Sequence, residues 1–157
     1  MHAKKSNVGK SATADGKGQA PRGRLLVVED SESSRAMIGE HLAEENFAHD
    51  EAENGAVAVE RVRTTRYDLI LMDIMMPMMD GYEAMRRIRQ WEEAHNLART
   101  PIIAFTGSAF DEDIQRALDA GADLHIRKPV KKEALADAIK RLIRPESAAA
   151  SARKHSA

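Results

Sequence analysis

Short apolar runs alternate along the chain with longer segments in which apolar residues recur every three or four positions. A run that stays largely apolar over several consecutive residues is typical of a strand buried in a parallel sheet. Five runs predict strands, the second of them with a mixed pattern: RLLVVE (24–29), FAHDEA (47–52), YDLILM (67–72), PIIAFT (101–106) and DLHI (123–126).

The segments between these runs have the spacing of amphipathic helices. Ile38 and Leu42 lie four residues apart. Leu135, Ile139 and Leu142 follow one another at i, i+4 and i+7. Residues with such spacing share one face of a helix, which can then pack on a sheet. The pattern predicts helices over residues 31–46, 54–66, 82–96, 111–121 and 131–143.

Strands that alternate regularly with helices predict an α/β fold. The strands form a doubly wound parallel sheet, and helices cover both of its faces. In such sheets the functional side chains lie beyond the carboxyl ends of the strands. The residues that follow each predicted strand are therefore the first place to look for chemistry.

Composition separates the folded body from the two ends of the chain. The pattern above occupies residues 24–144, where we expect one domain, whereas residues 1–23 and 145–157 hold few large apolar residues and are expected to be disordered tails. The first 24 residues carry six Lys or Arg and one Asp, while residues 25–143 carry 15 basic and 23 acidic residues. An acidic body with a basic tail argues against a dedicated nucleic-acid binder.

The 157-residue chain contains no cysteine, which excludes disulfides and thiol chemistry. No stretch approaches the about 18 apolar residues of a membrane span. The N-terminal residues also lack the apolar centre of a secretory signal. We therefore expect a cytoplasmic protein with no membrane partner.

Three carboxylates, a hydroxyl and an ammonium follow the predicted strands. Glu29 and Asp30 end the first run, Asp73 ends the third, Thr106 ends the fourth, and Lys128 comes shortly after the fifth. In a parallel sheet these side chains share one edge. Two unit charges about 4 Å apart repel by roughly 4 kcal/mol at an effective dielectric near 20, so such a cluster needs cations.

Lys128 and a divalent cation would together balance the three carboxylates. An all-oxygen donor set without cysteine or clustered histidine favours Mg²⁺, with Mn²⁺ as a second candidate, and gives no support to zinc. A carboxylate held beside Mg²⁺ and a lysine can act as a nucleophile toward phosphorus.

Four motifs in this order resemble the receiver domain of two-component response regulators: VVED (27–30), LMDIMMPMMDG (71–81), PIIAFTG (101–107) and KPV (128–130). The resemblance spans about residues 24–144. It implies the flavodoxin-like (βα)5 sheet with strand order 2-1-3-4-5. It also implies a phosphoprotein that receives a phosphoryl group in signal transduction.

The resemblance assigns a role to each candidate. Asp73 matches the phosphoacceptor, and Glu29 and Asp30 match the acidic pair that holds Mg²⁺, with Asp30 as a direct ligand. The backbone carbonyl of Met75 matches a further metal ligand, and Thr106 matches the switch hydroxyl. Lys128 matches the lysine of the active site, and Pro129 matches the proline that follows this lysine across a cis peptide bond.

One position departs from the family's pattern. Three residues before the lysine the family usually has Tyr or Phe, whose ring moves inward together with the switch hydroxyl, and here that residue is His125. Histidine can rotate in a similar way, but it is smaller, and its unperturbed pKa is near ~6.5. We expect His125 to couple the site to the outer face of the domain.

The resemblance also implies partners. It implies that a sensor histidine kinase or a histidine phosphotransfer protein supplies the phosphoryl group. A downstream protein target would bind the face formed by the fourth helix, fifth strand and fifth helix, about residues 109–143. A phosphorylation-dependent dimer is a further expectation. We expect no enzymatic activity beyond self-catalysed phosphorylation and dephosphorylation, and no output domain in the residues after Arg144; the chain is then a stand-alone receiver or a piece of a hybrid kinase.

Three other functions remain to be weighed. A scaffold of the same fold that binds a partner without phosphorylation would not need every chemical position to be filled. A phosphatase with an aspartate nucleophile would need a second Asp two residues later, where the chain has Met75. A flavodoxin-like cofactor binder would need a Ser/Thr/Gly-rich loop after the first strand, and EDSESS (29–34) is too acidic for a phosphate.

Overall fold

The computed structural model describes residues 19–143. The predicted tails lie mostly outside the described residues and stay predictions. Arg22, inside the predicted N-terminal tail, contacts the domain: its backbone N–H donates to the carbonyl of Asn46 at 2.8 Å. Its guanidinium lies 4.6 Å from the centre of the Phe47 ring. The chain is therefore attached to the domain slightly before the first strand.

Strands and helices alternate throughout residues 19–143, as predicted. They are β1 (Arg24–Val28), α1 (Glu32–Glu44), β2 (Ala48–Ala52), α2 (Gly55–Thr64), β3 (Leu69–Asp73), α3 (Gly81–Ala94), β4 (Ile102–Thr106), α4 (Asp111–Ala120), β5 (Leu124–Arg127) and α5 (Lys132–Leu142). The observed bounds differ from the predicted ones by at most two residues.

The five strands form one parallel sheet in the order β2-β1-β3-β4-β5, so the predicted flavodoxin-like topology is confirmed. The register places Val28 of β1 opposite Met72 of β3. Asp73 in turn lies opposite Phe105 of β4. The strands therefore end level with one another, which brings the residues that follow them to one edge.

Each face of the sheet has its own apolar core, because successive side chains of a strand point to opposite faces. Leu25 and Val27 lie in the core that α1 and α5 cover. Leu26 and Val28 lie in the core that α2, α3 and α4 cover. All four side chains are fully buried, which explains why β1 is apolar at consecutive positions.

Side-chain caps begin α1, α2 and α3, whereas α4 and α5 begin without one. Ser31 is the N-cap of α1, and its hydroxyl accepts a hydrogen bond from the backbone N–H of Ser34 at 3.3 Å. Asp80 caps α3 in the same way through the N–H of Glu83 at 2.9 Å.

Within residues 19–143, no helix has both the length and the apolar character that crossing a membrane would require.

Candidate functional site

Two neighbouring strands end side by side and bring the predicted acids together. Glu29 and Asp30 follow β1, and Asp73 is the last residue of β3. One carboxylate oxygen from each of these three residues lies within 4.8 Å of the others. We call these three residues the acidic cluster. The predicted convergence of acids from two separate strands is confirmed.

Lys128 reaches the acidic cluster from the end of β5. Its backbone N–H donates to the carbonyl of Thr106 at 2.7 Å, and the following peptide bond to Pro129 is cis, as the resemblance implied. Its Nζ lies 2.8 Å from Oδ1 of Asp73 and 3.5 Å from Oε1 of Glu29. The predicted ammonium is therefore in contact with two of the three acids.

Burial sets the electrostatics of the acidic cluster. Asp73 is 1% exposed and Glu29 is 2% exposed, whereas Asp30 is exposed to solvent. Burial raises the pKa of Asp73 above its ordinary value, although Lys128 opposes the shift. Burial also raises the pKa of Glu29, although one of its oxygens accepts a hydrogen bond from the N–H of Ser31 at 3.0 Å.

Burial acts in the opposite direction on the pKa of Lys128. On its own it would lower the pKa of the ammonium, but the carboxylates of Asp73 and Glu29 outweigh it and raise that pKa. Lys128 therefore stays protonated at neutral pH. One ammonium beside three carboxylates still leaves the site short of positive charge.

The residues of the acidic cluster fit a hard divalent cation. Neither carboxylate oxygen of buried Asp73 accepts a well-aligned hydrogen bond from the described residues, even with the lysine nearby. Lys128 compensates the Oδ1 side of this carboxylate, and a buried oxygen without a partner is costly, so the placement of Oδ2 indicates a further positive ligand. All the donors are oxygens, which suits Mg²⁺. Met75 lies two residues after Asp73 with a side chain that is 73% exposed, and its carbonyl is the predicted fourth donor.

Thr106 lies on the strand next to Asp73. It is the last residue of β4, directly after Phe105, which is in register with Asp73. Its side chain is 3% exposed, and its hydroxyl donates to the carbonyl of Ser108 at 3.5 Å. Because that bond is long, the hydroxyl can be redirected to a stronger acceptor at little cost.

His125 is on the edge strand β5, opposite Ala104. Its side chain is exposed and lines a groove of about 640 Å³ between β5 and α5. The groove carries several cationic side chains, among them Arg127, Lys131 and Arg141. Within residues 19–143, no hydrogen bond joins His125 to Thr106. The predicted coupling through His125 stays a prediction.

Two residues that shape the site were not predicted from the sequence. Arg35 of α1 donates from Nη1 to the backbone carbonyl of Glu29 at 2.9 Å. Gly81 begins α3, and a Cβ atom there would collide with the carbonyl oxygen of Asp73. Gly81 was recognisable only as a loop residue, and the role of Arg35 depends on a contact between separate elements.

Comparisons with known proteins agree with this geometry. A family model described as the response regulator receiver domain matches residues 25–140. The chemotaxis protein CheY of Halobacterium salinarum is 41% identical over 116 residues, which cover 74% of this chain and 92% of that protein. Probable histidine kinase 2 of Oryza sativa subsp. indica is 40% identical over 103 residues, 66% of this chain but only 10% of the kinase.

Two solved structures are similar in fold. One is the co-crystal structure of the Saccharomyces cerevisiae histidine phosphotransfer signaling protein Ypd1 and the receiver domain of its downstream response regulator Ssk1. The TM-score is 0.75 and the sequence identity 30%, and the match covers 79% of this chain and 90% of that chain. The other is the receiver domain of sensor histidine kinase PA1611 from Pseudomonas aeruginosa, with a magnesium ion in its active site cleft, TM-score 0.69, 34% identity, and 76% and 96% covered.

Proposed function

The chain belongs to the response regulator receiver domain family, and on that premise we propose that it accepts a phosphoryl group on Asp73 and signals the change through the face formed by α4, β5 and α5. One observation carries the proposal. The carboxylate of Asp73 is buried, has no well-aligned hydrogen bond from the described residues, and lies 2.8 Å from the ammonium of Lys128. A carboxylate whose oxygens have no other partner is available for attack on phosphorus.

In the proposed reaction, an oxygen of Asp73 forms a bond to phosphorus while the P–N bond of a phosphohistidine donor breaks. The electron pair of that bond leaves with the imidazole nitrogen. Lys128 orients the acceptor carboxylate and balances part of the charge on the phosphoryl oxygens. A Mg²⁺ ion held by Glu29, Asp30, Asp73 and the carbonyl of Met75, or Mn²⁺ in its place, would neutralise further charge there.

The phosphoryl group would change the contacts of Thr106. Phosphorylation replaces the single negative charge of the Asp73 carboxylate with an acyl phosphate that carries up to about −2 at neutral pH, and the new phosphoryl oxygens are stronger acceptors for the hydroxyl than the carbonyl of Ser108. Only contacts that differ between the two states can shift the balance between conformations. The groove beside His125 adjoins Lys128 and is the surface where we expect a downstream protein to bind.

The relatives support one class of phosphoryl donor. Two similar proteins are named as histidine kinases or their receiver domains, and one similar structure contains a receiver domain with a histidine phosphotransfer protein. We propose a sensor histidine kinase or a phosphotransfer protein as the donor. Phosphorylation-dependent association of two copies through the face formed by α4, β5 and α5 would be one way to pass on the signal.

The test is phosphorylation by a small donor. The full chain is incubated with acetyl phosphate and Mg²⁺, and its intact mass is measured. The native chain should gain one phosphoryl group, and Asp73→Asn should gain none, because it lacks the nucleophile. Chelation of the metal with EDTA should also prevent the gain.

Glu53→Gln is the matched control, because Glu53 is an exposed acid that follows β2, the strand on the other side of β1 from the strand of Asp73. This variant should be phosphorylated as the native chain is. A mass gain on Asp73→Asn equal to that on the native chain would remove Asp73 from its role. A native chain that gains nothing from either acetyl phosphate or a phosphorylated kinase would instead favour the scaffold function.

A further inference from the structure

Arg35 joins α1 to the loop that carries the two acids of β1. Its Nη1 donates to the backbone carbonyl of Glu29 at 2.9 Å, and its Nε donates to a carboxylate oxygen of Glu51 at 3.2 Å. The Arg35 side chain is only 16% exposed. A guanidinium that is held at two points and largely buried has one defined position.

The carbonyl that Arg35 holds belongs to the peptide group between Glu29 and Asp30. Rotation of this peptide would move both carboxylates relative to Asp73. The other polar groups of Glu29 are also fixed: its backbone N–H donates to the carbonyl of Ala52 at 3.0 Å, and its side chain accepts from Ser31. The contact with Arg35 completes the set of bonds that orient the first two acids.

The acids themselves oppose this arrangement. Three carboxylates with oxygens within 4.8 Å of one another repel, and Asp30 is exposed and free to turn toward solvent. Repulsion therefore favours any loop conformation that separates them. Because β1 ends at Val28, a bond to the Glu29 carbonyl from outside the strand adds to the bonds with Ala52 and Ser31 in resisting that movement. Arg35 supplies it from the first turn of α1.

We propose that Arg35 is a positioning residue, which holds the Glu29–Asp30 peptide so that both carboxylates face Asp73 and thereby strengthens binding of the divalent cation. The inference rests on the proposed function, because it assumes that the acidic cluster binds Mg²⁺. It does not require Arg35 to touch the metal or the phosphoryl group. Partners of this kind typically change metal affinity by about 10-fold to 100-fold when they are removed.

The experiment measures Mg²⁺ affinity by titration calorimetry on the full chain, with MgCl₂ as the only ligand. Arg35→Met should weaken binding about tenfold, because it keeps the aliphatic stem but loses both bonds. Arg35→Lys should restore part of the affinity, since an ammonium can reach only one of the two acceptors at a time. The thermal midpoint of each variant in EDTA shows whether it is folded.

Arg61→Met is the matched control. Arg61 donates from Nε to the backbone carbonyl of Glu51 at 2.7 Å, so it also ties a side chain to a backbone carbonyl in this part of the fold, but not at the acids. The Mg²⁺ affinity of Arg61→Met should stay within about twofold of the native value. Unchanged affinity in a folded Arg35→Met variant overturns the inference, as does an equal loss in Arg61→Met.

A kinetic readout separates positioning from a general loss of structure. With acetyl phosphate as donor, Arg35→Met should need about tenfold more Mg²⁺ for half-maximal phosphorylation, while its rate at saturating Mg²⁺ approaches that of the native chain. A variant whose saturated rate falls while its Mg²⁺ requirement does not change contradicts the inference. If titration of the native chain itself shows no Mg²⁺ binding, the proposed metal site is wrong, and the inference about Arg35 is overturned with it.

Discussion

At the scale of single residues, Asp73 is held in a position that disfavours its charge. Its carboxylate is buried, one ammonium contacts it, and burial raises its pKa. A carboxyl group whose pKa is higher in the folded than in the unfolded state loses folding free energy when it ionises. The arrangement suits a phosphoryl acceptor, because the Asp73 carboxylate has few hydrogen-bond donors around it and its oxygens are available to attack phosphorus.

The first prediction concerns Asp73→Asn in metal-free buffer. The cost of ionising Asp73 is absent below the pKa of this carboxyl in the unfolded chain, about 3.9, and it is fully present above the raised pKa of the same carboxyl in the folded state. The variant should therefore be more stable than the native chain at pH 7, by on the order of 1 kcal/mol, and the gain should vanish as the pH approaches about 4. Urea unfolding at several pH values measures it. A gain that grows toward low pH would show that the sign of the shift is wrong.

The second prediction concerns His125. If it couples the site to the groove, phosphorylation of the native chain should change amide hydrogen exchange in β5 and α5, and His125→Ala should reduce that change. His125→Tyr should preserve it, because an aromatic ring of this kind is what the family usually has at this position. Hydrogen-exchange mass spectrometry with and without acetyl phosphate gives the measurement. An identical response in His125→Ala would remove the residue from the pathway.

At the scale of the elements, Arg89 fastens the end of α3 to the loops before β4 and β5. It donates to Glu92 at 2.8 Å, to the carbonyl of Thr100 at 2.7 Å, and to the carbonyl of Gly121 at 2.6 Å. Glu92 is 4% exposed and also accepts from the N–H of Thr100 at 2.8 Å. This network lies among buried and half-buried groups, where a lost partner is expensive.

The third prediction follows from this network. Arg89→Met should lower the free energy of unfolding by about 3 kcal/mol or more, because it leaves the buried carboxylate of Glu92 without its cation. For a domain of this size that is a fall of about 10 °C in the thermal midpoint. Calorimetry or circular dichroism measures the effect.

Arg99→Met provides the control for that measurement. Arg99 also contacts Asp123 and the carbonyl of Gly121, both at about 3.1 Å, but its side chain is 55% exposed. Exposed ion pairs contribute about 1 kcal/mol or less. Equal losses from the two variants would contradict the importance assigned to burial.

At the scale of the whole molecule, binding of a cation and folding are linked. A ligand that binds only the folded state stabilises it, by about 2.7 kcal/mol when its concentration is a hundred times its Kd. The fourth prediction is that Mg²⁺ raises the thermal midpoint of the native chain and of Glu53→Gln, but raises that of Asp30→Asn much less. A rise of equal size in all three proteins would assign the effect to general screening of the acidic body.

Much of the architecture could be predicted from the sequence. The five runs and their intervening helices were recognisable because each strand of a parallel sheet is buried on both faces, and the order of the motifs then indicated which acids converge. The contacts of Arg35 and Arg89 could not be predicted, because each joins a helix side chain to a backbone carbonyl outside that helix, and no spacing pattern in the sequence marks such a contact. The exposure of His125 depends on a rotamer, which residue type alone does not determine.

Gly81 holds the start of α3 close to the end of the acceptor strand β3. The backbone N–H of Gly81 donates to the carbonyl of Ile74 at 2.8 Å, and a side chain on Gly81 would collide with the carbonyl of Asp73. Anyone who transplants the intervening loop from another protein can vary its length and chemistry only as long as the graft ends in glycine. A bulkier final residue would push the helix outward and tilt the nucleophile with it, so a library randomised at this codon should return almost exclusively the original amino acid.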